Sequence, residues 1–203
     1  MKTKFLIFLQ TFLLVANLAM PLYASAASPA APYFELCVSP VTGGDCSGDG
    51  NGTLNKFYVG QTFDAKIMIS TGAVDTKSAN IIINYDTNYL TVNDSKPAVT
   101  GTQISAGTLY ESYPDSGNTV AGGVIRLTGA NTSGANYAGA GVFGTISFTV
   151  LAQKASSLST TIDFTSGSTI DSNIVRSGDS QDILSSVENS NWQLLPDTDK
   201  PYV

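Results

Sequence analysis

Three sets of residues in this 203-residue chain could do chemistry, and one residue type that much catalysis needs is missing. Asp45, Ser47 and Asp49 stand at alternate positions, with Gly50 and Asn51 next. That is the first half of an EF-type calcium loop, which wants hard oxygen ligands at positions 1, 3 and 5 and a glycine at the sharp sixth position. Position 12, where a bidentate carboxylate belongs, is Lys56. Weak calcium binding is the most this spacing predicts, and a Gly/Asp turn held by Asx hydrogen bonds is the simpler expectation. Cys37 and Cys46 bracket the same stretch. Two cysteines in an exported chain are expected to pair, and closing a loop of this length is worth roughly 2–3 kcal/mol in the chain-entropy model. Glu111, Asp115, Asp163 and Asp171 could furnish two carboxylates for glycoside hydrolysis, but no spacing selects a pair. The chain has no histidine, so Ser/His and Cys/His nucleophile pairs and His-based zinc sites are excluded. No catalytic residue can be named, and a non-enzyme is expected.

The elements that must position any site begin after a leader. Lys2 and Lys4 precede an apolar run from Phe5 to Met20, followed by Pro21 and the small residues Ala24-Ser25-Ala26. This is the order of a secretory signal peptide, residues 1–26, cleaved after Ala26, so a secreted, extracellular location is expected. The mature chain then keeps eight basic and sixteen acidic residues, a net charge of −8. Such a surface argues against nucleic acid and anionic lipid as partners. No second long apolar segment follows, so the mature chain is not expected to enter a membrane.

Residues 27–33 read as a linker, 34–195 as one domain and 196–203 as a tail. Alternation of period two marks strands. In Gly141–Ala152 the even-numbered residues Val142 to Ala152 are expected inward, with Phe143, Thr145, Ser147 and Thr149 outward. Thr62–Ser70 buries Phe63, Ala65, Ile67 and Ile69 by the same pattern. Ala79–Tyr85 turns Ile81, Ile83 and Tyr85 inward and leaves Asn80, Ile82 and Asn84 outward. Gly107–Ser112 and Gly123–Ala130 read as a hairpin around the turn-rich Tyr113–Asn118. Leu158–Thr165 and Val187–Leu195 complete the set, with Trp192 in the core. Ser166–Gly178 reads as loop. An all-β sandwich is the expected class.

The ordered series VGQTF, IIINYDTNYLTV, GGVIRLTGA, GVFGTISFTV and TIDF before DSN resembles the cohesin family. The resemblance runs from about Phe34 to Leu195, and the Cys37–Cys46 excursion departs from the family's short first connection. It implies a nine-stranded, jelly-roll or immunoglobulin-like β-sandwich, secreted and non-catalytic. Such modules bind dockerin modules in cellulose-degrading, cellulosome-type or cell-surface assemblies. It further implies that one flat sheet face takes the partner. The outward residues of that face would be Asn80, Ile82, Asn84, Tyr110, Val124, Arg126, Thr128, Thr161 and Asp163. Ile82 and Val124 would form an apolar centre, with Tyr110 as an anchor. Carbohydrate binding is the alternative, since Tyr110, Tyr113 and Tyr137 could stack on sugar rings if the fold brings them together.

Overall fold

The computed structural model describes residues 31–38, 55–166, 168 and 170–197. The leader, Cys46 and the Asp45–Asn51 stretch lie outside the described residues, and with them the expected disulfide and calcium loop. In chain order the strands are β1 (Tyr33–Cys37), β2 (Asn55–Tyr58), β3 (Thr62–Ser70), β4 (Thr76–Asn84), β5 (Leu90–Val92) and β6 (Ser105–Ala106). A 3-10 turn, η1 (Asp115–Gly117), precedes β7 (Asn118–Ala121), β8 (Val124–Ala130) and β9 (Ala140–Val150). Then come β10 (Leu158–Ile162), β11 (Asn173–Arg176), β12 (Ser186–Glu188) and β13 (Ser190–Leu195).

These form two sheets, as an all-β sandwich requires. The first has the order β12-β1-β3-β9-β5, with β6 also on β9; the second has the order β2-β13-β10-β4-β8-β7, with β11 also on β4. The expected nine strands are an approximation, because several strand positions are divided. β5 and β6 take different stretches of β9, and β10 and β11 take different stretches of β4. The chain also crosses from the first sheet to the second between β12 and β13.

The inward residues of β3 and β4 are the expected ones: Ala65, Ile67, Ile69, Ile81 and Ile83 are fully buried. Trp192 is buried too, its indole N–H donating to Thr160 Oγ1 at 2.7 Å. It packs against Phe63, which stacks on Phe57 at 3.7 Å. Gly144 keeps the sheets close, since a Cβ there would lie 2.5 Å from Leu127 Cδ2.

Three expectations are corrected. The first concerns β9. Ile67 pairs with Gly144 but Met68 pairs with Val142, so Phe143 is the extra residue of a β-bulge. One extra residue reverses the side-chain phase. Phe143 therefore points inward, fully buried against Phe34, Tyr110 and Tyr113. Val142 is on the opposite side, packed with Cys37 and Met68. Gly107 seats the bulge: its N–H donates to the Phe143 carbonyl, and a Cβ would come within 2.3 Å of the Val142 carbonyl oxygen.

The second concerns the hairpin partner of β8: β7 pairs along it, while of Gly107–Ser112 only Ser112 bridges it, at Ala130. The hairpin turns on Gly122 and Gly123, both at positive φ (58° and 82°), the two-residue geometry that suits twisted strands and favours glycine. The third concerns residues 166–178, which contain β11. The expected linker also yields its last residue, since Tyr33 opens β1.

Candidate protein-binding face

The outer face of β10, β4, β8 and β7 gathers the residues expected at a binding surface, with two exceptions. Antiparallel pairing sets Asn80 opposite Thr128, Ile82 opposite Arg126 and Asn84 opposite Val124. Thr161 pairs with Asn84 from the other side, while β7 adds Thr119 beside Arg126 and Ala121 beside Val124. Asp163 follows β10, and its N–H donates to the Ile82 carbonyl at 2.8 Å. Arg126 and Asp163 thus stand on either side of Ile82, both exposed and without an ion pair among the described residues.

Tyr110 is the first exception. It is buried, in the connection between β6 and η1, and its hydroxyl shares a 2.8 Å hydrogen bond with Thr76 Oγ1. Burial pushes its phenol up to about 12, against the lowering effect of that hydrogen bond. Apolar surroundings and a core hydroxyl partner account for the inward position. Ile82 is the second exception: it is only 3% exposed, although alternation puts it on the outer side. Ser172 Oγ accepts from the Ile82 N–H at 2.9 Å and donates to its carbonyl at 3.3 Å. Ser172 thus fills the gap between β10 and β11 along the edge of β4, the Asp171 carbonyl reaches the outer-face residue Asn80 next to it, and the expected apolar centre is covered.

Two more residues are shielded in part. Asn80 donates to the Asp171 carbonyl at 3.2 Å and accepts from Thr128 Oγ1 at 3.0 Å, so its amide is fixed within the face. The η1 turn rests against Thr128, where a Cβ on Gly117 would meet the Thr128 Cβ at 2.9 Å. What stays open is the row Thr161, Asn84, Val124 and Ala121, with Arg126 and Thr119 alongside. Thr119 and Ala121 are not among the expected residues, because the expected turn ends at Asn118 and the next strand begins at Gly123; the Gly122-Gly123 pair is the signal for β7.

The three tyrosines do meet, but as core. Tyr110 lies 5.4 Å from Tyr137 at 56° and 6.4 Å from Tyr113 at 73°. Burial raises the phenols of Tyr113, to about 12, and Tyr137. Tilted rings around a buried one offer no flat platform to a sugar. On the other sheet, a polar cleft of about 310 Å³ is lined by Asp64, Asn93, Asp94, Ser95, Ser105, Thr145 and Ser147. Its Asp94 accepts the N–H groups of Lys96 and Gln103, and Asn93 is bonded to Ser147 and Thr149, so these groups hold their own loop.

The isolated carboxylates have structural work. Asp115 pairs with Lys96 at 2.5 Å, and buried Asp171 accepts from the Thr165 N–H. Glu111 accepts from Thr132 N–H at 2.7 Å and Ser133 N–H at 2.8 Å, and also from both hydroxyls. The Ser133 bonds above all, then those from Thr132, hold its carboxyl down to about 2. A carboxylate depressed in the folded state stabilises the fold above its usual range near 4.5, and that contribution is lost as pH falls towards 2. Glu111→Gln is therefore expected to lower the melting temperature at pH 6. The gap to wild type should close steadily between pH 4.5 and 2; a gap of constant size would contradict this role.

The family model for the cohesin domain matches residues 52–183, most of the chain. The chain belongs to the cohesin domain family. Cohesin structures share its fold at low identity. The sixth cohesin of Acetivibrio cellulolyticus scaffoldin B, solved with a Cel5 dockerin, is 14% identical; the match covers 79% of this chain and 98% of that one, TM-score 0.55. A type II cohesin from the cellulosome of the same organism is 18% identical over 79% of this chain and 95% of that one, TM-score 0.54. The seventh ScaB type I cohesin of Pseudobacteroides cellulosolvens is 13% identical over 84% and 98%, TM-score 0.55. No curated protein matches the sequence. Cohesins are non-catalytic binding modules, in keeping with the separate structural roles of Glu111, Asp115 and Asp171.

Proposed function

We propose that this cohesin domain is a protein–protein interaction module that binds a dockerin-type partner through the outer face of β10, β4, β8 and β7. The observation that carries the reading is the open row Thr161, Asn84, Val124 and Ala121 with unpaired Arg126 beside it, on a fold shared with cohesins solved in dockerin complexes. A half-buried valine flanked by an amide, hydroxyls and one cation gives a helical partner a small apolar contact and polar groups that set register. The setting that fits is extracellular. A leader cleaved after Ala26 would release a chain beginning at Ala27, with Cys37 and Cys46 bonded in an oxidising environment.

The test is binding of the purified domain to a panel of dockerin modules, with insoluble polysaccharides assayed in parallel. Binding to at least one dockerin is expected, weakened tenfold or more by Arg126→Glu without loss of folding. Retention on polysaccharide with no dockerin bound would replace this reading by the carbohydrate one.

A further inference from the structure

The described ends of the connection between β10 and β11, Asp163–Ser166 and Ile170–Ser172, form a low wall at the partner face. The chain leaves the sheet after β10 at Ile162 and rejoins it as β11 at Asn173, on the same edge of β4. Where it departs and returns, the Ser172 N–H donates to the Asp163 carbonyl at 3.1 Å, closing the stem. The Thr165 N–H donates to the buried carboxylate of Asp171 at 2.5 Å, and the Asp171 carbonyl accepts from Asn80 and Asn173 at 3.2 Å each. Asn80 is an outer-face residue, so this end of the loop reaches the outer face of β4 at Asn80, beside Ile82. Ser172 is fully buried and Asp171 nearly so, yet Ile170, their neighbour, is 90% exposed.

Among the described residues, the large apolar side chains left in water are Leu151, at 49%, and Ile170. A β-branched side chain wholly in water next to two pinned residues forgoes the burial its type usually gains. It does so beside the one face already argued to take a partner. A single apolar side chain projecting at an interface gains most by filling a pocket on the other molecule, where water is excluded around it.

We infer that Ile170 is an anchor, which inserts into an apolar pocket of the dockerin-type partner while that partner lies on Asn84, Val124 and Arg126. The inference rests on the function proposed above. It makes the wall a determinant of partner choice: a partner without such a pocket meets an unburied isoleucine and is held by the sheet face alone.

The experiment uses a dockerin module that the wild-type domain binds. Ile170→Ser is expected to weaken binding at least tenfold, mainly through faster dissociation, with circular dichroism and melting unchanged. Ile170→Met, which keeps apolar bulk, should retain most of the affinity. Leu151→Ser, an exposed aliphatic residue at the end of β9 in the other sheet, should stay within twofold of wild type. Affinity of Ile170→Ser within twofold of wild type would overturn the anchor while leaving the dockerin reading intact. So would an effect confined to self-association of the domain. If the wild type binds no dockerin, the function reading falls and takes the anchor with it.

Discussion

Ile82→Asp is expected to unfold the domain, not merely to weaken a partner. The side chain lies on the outer side of β4 but is 3% exposed, and its backbone is tied to Ser172 and Asp163. A carboxylate placed there faces Arg126 across the strand pair, but that cation is exposed while the position is covered, so the new charge must either stay buried or lift the covering chain from the sheet. Such a burial costs at least about 3 kcal/mol, a large part of a typical domain stability. Asn84→Asp, on the same strand and face but exposed, should change stability by less than about 0.5 kcal/mol. Urea melts of the two variants check this directly. An Ile82→Asp protein that melts like wild type would mean the wall does not cover the position.

Phe143→Ala is expected to cost about 3–5 kcal/mol, the range for emptying a buried aromatic site. Phe143 is fully buried and touches three aromatic rings drawn from β1 and the connection after β6. Val142→Ala should cost much less, because Val142 is half-buried in the small outer cluster with Cys37 and Met68. Simple alternation along Gly141–Ala152 demands the reverse order. Denaturant midpoints for the two variants therefore decide where the phase of β9 changes; a larger loss at Val142 would remove the bulge.

These two residues show where reading by period succeeds and where it stops. Alternation places the inward faces of β3 and β4 because each is one uninterrupted stretch with a single phase. It fails at Phe143 because a bulge is one residue long and leaves no compositional trace. At Ile82 the trace was present. Ile81-Ile82-Ile83 is a continuous apolar run, the mark of a strand covered on both sides, whereas alternation alone makes it one-sided. The cover itself was harder to see, since β11 is four residues long and sits in a Ser/Asp/Gly-rich stretch that looks like loop. For the same reason the flat face expected from the sequence became a face with a wall. Asn84, Val124, Arg126 and Thr161 were placed correctly on that face, because their strands keep phase from end to end. Tyr110 was misplaced because its segment is not a strand at all.

The two parallel pairings have a consequence for how the molecule comes into being. β1 pairs with β12, and β2 pairs with β13, so the first strands of the domain meet the last ones. Until Ser186 has been made, β1 has β3 alone and β2 has no strand beside it in either sheet. Contacts this distant along the chain are slow to form, because loop-closure entropy is lost before any pairing is gained. The domain thus cannot be completed piecemeal from its N-terminus while synthesis proceeds. The middle of both sheets can pair before then, but the edges at β1 and β2 close only when the last strands arrive.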